Sequence, residues 1–180
     1  MTYIALLRGI NVSGQKLIKM DNLRKIFERM GFKNVRTYIQ SGNVMFDAPK
    51  TKQEKLCARI EKQLDKILGY NVSVVVRTIE ELEEVVRKYP FSKIKGHEEC
   101  KIYVAFLAGE PDKANVKELV SFNCDNEMFQ LTGNNLYILL RVGFPDSLTG
   151  KNIVEKKLKV RATARNWNTV NKIIAMTREQ

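Results

Sequence analysis

Between Tyr3 and Val76 the apolar residues switch between short continuous blocks and stripes of helical spacing, and this switching limits the possible folds more than any other feature of the chain. Tyr3-Ile4-Ala5-Leu6-Leu7 is too short for a helix and gives way to Arg8-Gly9 and a polar loop, so it reads as a strand. Met20, Leu23, Phe27 and Met30 then recur at helical spacing, with Arg24, Lys25, Glu28 and Arg29 on the other face and Gly31 at the expected C-terminus. Val35 to Ile39 and Val44 to Phe46 are strand-like around the turn sequence Gln40-Ser41-Gly42-Asn43. Thr51 and Glu54 form a capping-box pair ahead of the stripe Leu56, Ile60, Leu64 and Ile67, which Gly69 ends; Val72 to Val76 is a further strand. Strand, helix, strand, strand, helix, strand is the split βαβ order, which lays two helices on one face of a four-stranded antiparallel sheet.

The expected fold class is therefore α+β, with a ferredoxin-like βαββαβ subdomain over residues 1–77. A related but divergent α+β subdomain is expected over 78–180, ending in helices. Thr78 and Glu81 make a second capping box, opening a helix that turns Leu82, Val85 and Val86 inward until Pro90 stops it. Ile102 to Leu107 reads as a strand, Asn115 to Val120 as a short helix, and Met128 to Leu131 with Leu136 to Leu140 as a hairpin. Tyr3-Ile4-Ala5-x-Leu7-x-Gly9 recurs as Tyr103-Val104-Ala105-x-Leu107-x-Gly109, and Ser41-Gly42-Asn43 as Thr132-Gly133-Asn134, which argues for internal duplication. After its third strand the second half diverges, with Lys151 to Lys159 and then an amphipathic helix from about Asn166 to Arg178.

No apolar run approaches the roughly 20 residues that cross a bilayer, and Arg8 interrupts the N-terminal block, so neither an anchor nor a signal peptide is expected. Cys57, Cys100 and Cys124 are too widely spaced for a CxxC pair or a disulfide framework and read as free thiols of a cytoplasmic protein. The net charge of +11 is concentrated at the two ends: residues 1–50 hold nine Lys/Arg against three Asp/Glu, and residues 151–180 eight against two. Such a balance suits polyanions, anionic metabolites or acidic protein surfaces, and it also serves solubility.

Three segments carry a resemblance: Arg8-Gly9-Ile10-Asn11-Val12, Thr37-Tyr38-Ile39-Gln40-Ser41-Gly42-Asn43-Val44, and Ala162-Thr163-Ala164-Arg165-Asn166-Trp167-Asn168-Thr169-Val170. In that order they resemble the bacterial domain-of-unknown-function family number 1697. The chain departs from the family pattern at Ser13, where a glycine is more usual. The resemblance implies two α+β subdomains, the first ferredoxin-like, and brings no activity, substrate or catalytic residue with it.

In a ferredoxin-like sheet the end of the first strand and the turn between the second and third share an edge, and the first helix opens there too. Arg8, Asn11, Ser13, Gln40, Ser41 and Asn43 therefore form a candidate anion site beside a positive helix end. The same residue types also stabilise turns with no ligand at all. Gly9 to Gly14 matches the glycine spacing of a P-loop, but Gln15 and Leu17 stand where its Lys and Ser/Thr belong. Arg165, Asn168 and Lys172 form a possible second polar face on the last helix, with Trp167 read as a core anchor. His97, the only histidine, reads as a solvated loop residue, and no metal or cofactor is expected. The function these features suggest is a non-catalytic binding module for nucleic acid or another phosphate-bearing ligand. The alternatives are an enzyme or sensor for a small anionic metabolite, and a protein–protein scaffold.

Overall fold

The computed structural model describes every residue except Ser13 and Gln180. It divides into two compact units, Met1–Glu83 with the segment from Lys172 onward, and Glu84–Asn171. The first unit is built from β1 (Thr2–Leu7), α1 (Met20–Arg29), β2 (Lys33–Tyr38), β3 (Asn43–Asp47), α2 (Gln53–Leu68) and β4 (Val74–Thr78). Its sheet runs β2-β3-β1-β4 with every pair antiparallel, the ferredoxin-like order read from the sequence. After α3 (Ile79–Arg87) come β5 (Lys101–Leu107), α4 (Lys113–Val120), β6 (Glu127–Thr132), β7 (Asn135–Leu140), α5 (Ile153–Leu158), β8 (Ala162–Asn166) and α6 (Trp167–Arg178). The second sheet, β6-β7-β5-β8, has the same topology.

The second copy is more complete than its sequence suggests. β8 is not legible in the sequence because Ala162-Thr163-Ala164-Arg165 is mostly small and helix-compatible, and the pairing with β5 decides its state instead. The helix that follows accordingly starts at Trp167. In the first sheet Tyr3 and Ile4 pair with Thr78 and Arg77; in the second Tyr103 and Val104 pair with Asn166 and Arg165. The repeated Tyr-x-Ala motif is thus in register, and Arg77 and Arg165 occupy equivalent places, 8% and 6% exposed. Each guanidinium donates to the carbonyl of the residue before it, at 2.9 Å for Arg77 and 2.8 Å for Arg165. Burial pulls both below the ordinary arginine range, Arg165 to about 10.

The hairpin motifs are not in register. In the first hairpin Tyr38 pairs with Asn43 across a four-residue loop, whereas in the second Thr132 pairs with Asn135 across Gly133-Asn134. Asn43 therefore corresponds to Asn135, one place beyond the sequence match. A two-residue loop with a positive φ at Gly133 (56°) suits a tight antiparallel turn.

In the first unit the strands point Tyr3, Ala5, Leu7, Phe46 and Val76 at α1 and α2, whose Leu23, Phe27, Leu56, Ile60 and Leu64 complete the core. Phe46 ties this core together, with ring centroids 4.3 Å from Phe32, 5.5 Å from Phe27 and 5.8 Å from Tyr3. The capping box of α3 forms as read: Thr78 N–H donates to Glu81 Oε2 at 2.7 Å and Glu81 N–H to Thr78 Oγ1 at 3.3 Å. That of α2 does not. Its N-cap is Lys52, and Thr51 Oγ1 donates instead to Pro49 O at 2.8 Å.

Gly42 closes the first hairpin at φ 80°, and a Cβ there would lie 2.6 Å from Ile10 Cδ1 and 2.8 Å from Leu7 Cβ. Left-handed backbone and overpacking each cost about 1–2 kcal/mol or more, so Gly42→Ala is expected to lower unfolding free energy by about 2–4 kcal/mol in urea titration. Gly133→Ala, with nothing within 4 Å of its Cβ, should lose only the backbone part.

Candidate functional site

The chain leaves β1 with Leu7 N–H bonded to Gly42 O at 2.8 Å and Arg8 N–H to Ser73 O at 2.9 Å. The β1–α1 loop then crosses the strand ends, and Asn11 holds it there. At φ 54° its side chain donates to Ile18 O (3.0 Å) and Gln40 O (2.9 Å) and accepts from Ile18 N–H (2.8 Å). One amide thereby joins the loop, the start of α1 and the β2–β3 turn.

These elements and the end of α2 enclose a cleft of about 680 Å³. Asn11 and Gln40 line it, with Lys19, Asn22, Lys25 and Arg29 from the start and one face of α1. Leu17 and Ile67 form apolar rims, 69% and 42% exposed. Lys19, Lys25 and Arg29 make no ion pair with a described residue, and the described lining contains no carboxylate. Two like charges at i and i+4 on α1 repel mildly, by a few tenths of a kcal/mol, which a bound anion would relieve.

Residues 1–137 match a family described as a protein of unknown function, DUF1697. The chain belongs to that family. The match contains the first two motifs and ends before Ala162 to Val170. No curated protein matches the sequence. Among solved structures, the conserved bacterial protein SP0830 from Streptococcus pneumoniae is similar over 97% of both chains, with a TM-score of 0.75 and 22% identity, a likeness of fold.

Of the residues expected to gather at this edge, Asn11 and Gln40 meet in the cleft. Asn43 is wholly buried, donating to Tyr38 O at 2.9 Å and Ser41 Oγ at 3.1 Å inside the turn. Arg8 is half-buried and outside the lining; Ser13 lies outside the described residues. Arg165 is not on a helix face as expected but buried in β8 of the second unit; on α6, Asn168 of the second unit and Lys172, the first residue of the segment that belongs to the first, are both exposed.

The cleft's cations were missed because Lys25 and Arg29 read as the ordinary solvated face of α1. No sequence signal marks the rim either: Ile67 continues the α2 stripe of Leu56, Ile60 and Leu64 and reads as core, yet it is exposed where those three are buried. Asn11→Gly keeps the positive φ and removes three hydrogen bonds, so it should destabilise the protein by about 1–3 kcal/mol in urea unfolding. Asn11→Ala should cost roughly 1 kcal/mol more, the penalty of a side chain in left-handed backbone.

Proposed function

We propose that this protein is a non-catalytic binding module for a phosphate-bearing partner, held in the cleft of the first unit. The observation that carries the reading is the set of three cations, Lys19, Lys25 and Arg29, that pair with no carboxylate among the described residues and lie beside the exposed apolar rim of Leu17 and Ile67. Ammonium and guanidinium groups bind phosphate oxygens through charge-assisted hydrogen bonds, and the start of α1 adds free backbone N–H groups. The apolar rim gives an organic body attached to that phosphate a surface to cover. The amide and cationic groups of the lining bind charge and do not shuttle protons. Nucleic acid and phosphorylated metabolites share this chemistry, and a cleft of about 680 Å³ favours a small ligand or a single nucleotide unit over a long polymer track. A reducing, cytoplasmic setting belongs to the same reading, supported by a cysteine spacing that fits neither a CxxC pair nor a disulfide framework.

The test is calorimetric titration of the full chain with inorganic phosphate and with phenyl phosphate. Phenyl phosphate should bind more tightly, and both affinities should fall steeply with added salt. Lys25→Glu with Arg29→Glu should weaken binding at least tenfold, since one charge-assisted contact contributes about 1.5–3 kcal/mol, and should leave the unliganded melting temperature within a few degrees of wild type. Equal affinity of the double variant and wild type would contradict the reading.

A further inference from the structure

The second unit holds a cleft of different character, about 420 Å³ in volume. Its wall is aromatic. Tyr89 lies 4.8 Å from Trp167 and 5.6 Å from His97, ring centroid to centroid, and its edge rests on the buried Phe91 at 5.9 Å and 90°. Tyr89 hydroxyl and His97 Nδ1 are 3.1 Å apart. Burial, then the neighbouring Cys100 and Glu98, raise the Tyr89 hydroxyl above its ordinary range, so it remains a protonated donor at neutral pH. With that hydroxyl donating to Nδ1, the Nε2-protonated tautomer of His97 carries a donor on the far side of its ring, 3.8 Å from Glu98 Oε1.

Trp167 is half-buried rather than sealed in a core, and two amides flank it. Asn166 Oδ1 accepts the Asn168 N–H at 2.9 Å, which fixes the Asn166 side chain; the exposed Asn168 side chain makes no hydrogen bond within the described chain. The formal charges on the lining, Lys101 and Glu98, cancel, in contrast to the three cations of the first unit's cleft. An aromatic wall selects a flat ring, amide groups select an edge that both donates and accepts, and charge balance selects a neutral molecule. We infer that this cleft binds a neutral planar heterocycle of the nucleobase class, stacked on Trp167, with its polar edge on Asn168 and His97. The heterocycle is either a free nucleoside or one base of a single strand.

Trp167 is the only tryptophan, so its fluorescence reports on the cleft directly. Full-length protein, excited at the red edge of indole absorption, should show saturable quenching by adenosine and none by ribose. Asn168→Ala and His97→Ala should each weaken adenosine about fivefold or more, the loss of one hydrogen bond, with the unliganded melting temperature unchanged for Asn168→Ala. Lys25→Glu with Arg29→Glu should leave the quenching as in wild type, separating this site from the proposed phosphate cleft. Equal affinity for adenosine and a short oligoadenylate identifies a free nucleoside, and tighter binding of the oligoadenylate identifies a strand. Quenching that rises linearly without saturation, or an adenosine affinity unchanged in both single variants, overturns the inference.

Discussion

Each unit depends on a central strand that is hydrogen-bonded along both edges. β1 lies between β3 and β4, and β5 between β7 and β8, so neither can shift register without breaking two ladders at once. Both faces of β1 are also apolar and buried: Ile4 and Leu6 are as inaccessible as Tyr3, Ala5 and Leu7. The consequence is a fixed exit point. Leu7 and Leu107 donate to the hairpin carbonyls of Gly42 and Asn134, and the next residues, Arg8 and Ala108, donate to Ser73 and Arg161 on the other side. The loop that follows must cross the strand ends, and in the first unit the Asn11 clip turns that crossing into a cleft wall.

The two copies keep the backbone plan and change the chemistry. At the shared exit point Arg8 in one corresponds to Ala108 in the other, and the cationic cleft of the first unit has no like-charged counterpart in the aromatic cleft of the second. What both copies retain is a buried arginine one residue before the end of the last strand, Arg77 and Arg165. A buried guanidinium is costly unless its donors are satisfied, and in both copies the local carbonyl supplies one acceptor. Glu127, 2% exposed, does the converse for the second unit: its carboxylate accepts from the backbone N–H groups of Leu148 and Thr149, at 2.7 and 2.9 Å, ordering the approach to α5.

The sequence made the element order of the first unit legible because block and stripe spacing follow directly from strand and helix geometry. The duplication was legible in the Tyr-x-Ala block, which the ladders hold in register, but not in the hairpins, where loops of four and two residues shift the glycines. β8 was hidden because small residues state no preference and only the β5 ladder makes them a strand. Thr51 shows a cap motif losing to a competing turn, while Thr78 shows the same motif forming. At the candidate site the turn residues were visible, but Asn43 and Ser41 serve the turn itself. The cations of the cleft depend on which face of α1 the end of α2 leaves open, a tertiary fact. By residue type alone Trp167 reads as core and His97 as loop, and their juxtaposition through Tyr89 is equally tertiary.

The central claim, that the cationic cleft of the first unit is the place where a phosphate-bearing partner binds, is tested most directly by nuclear magnetic resonance of the isotopically labelled full chain titrated with phenyl phosphate. The account predicts concentration-dependent shifts centred on the side chains of Lys19, Lys25 and Arg29 and on the Ile67 methyl groups, with the β-sheet core unmoved. Shifts confined to the second unit, or none at these four residues at saturating ligand, would contradict it.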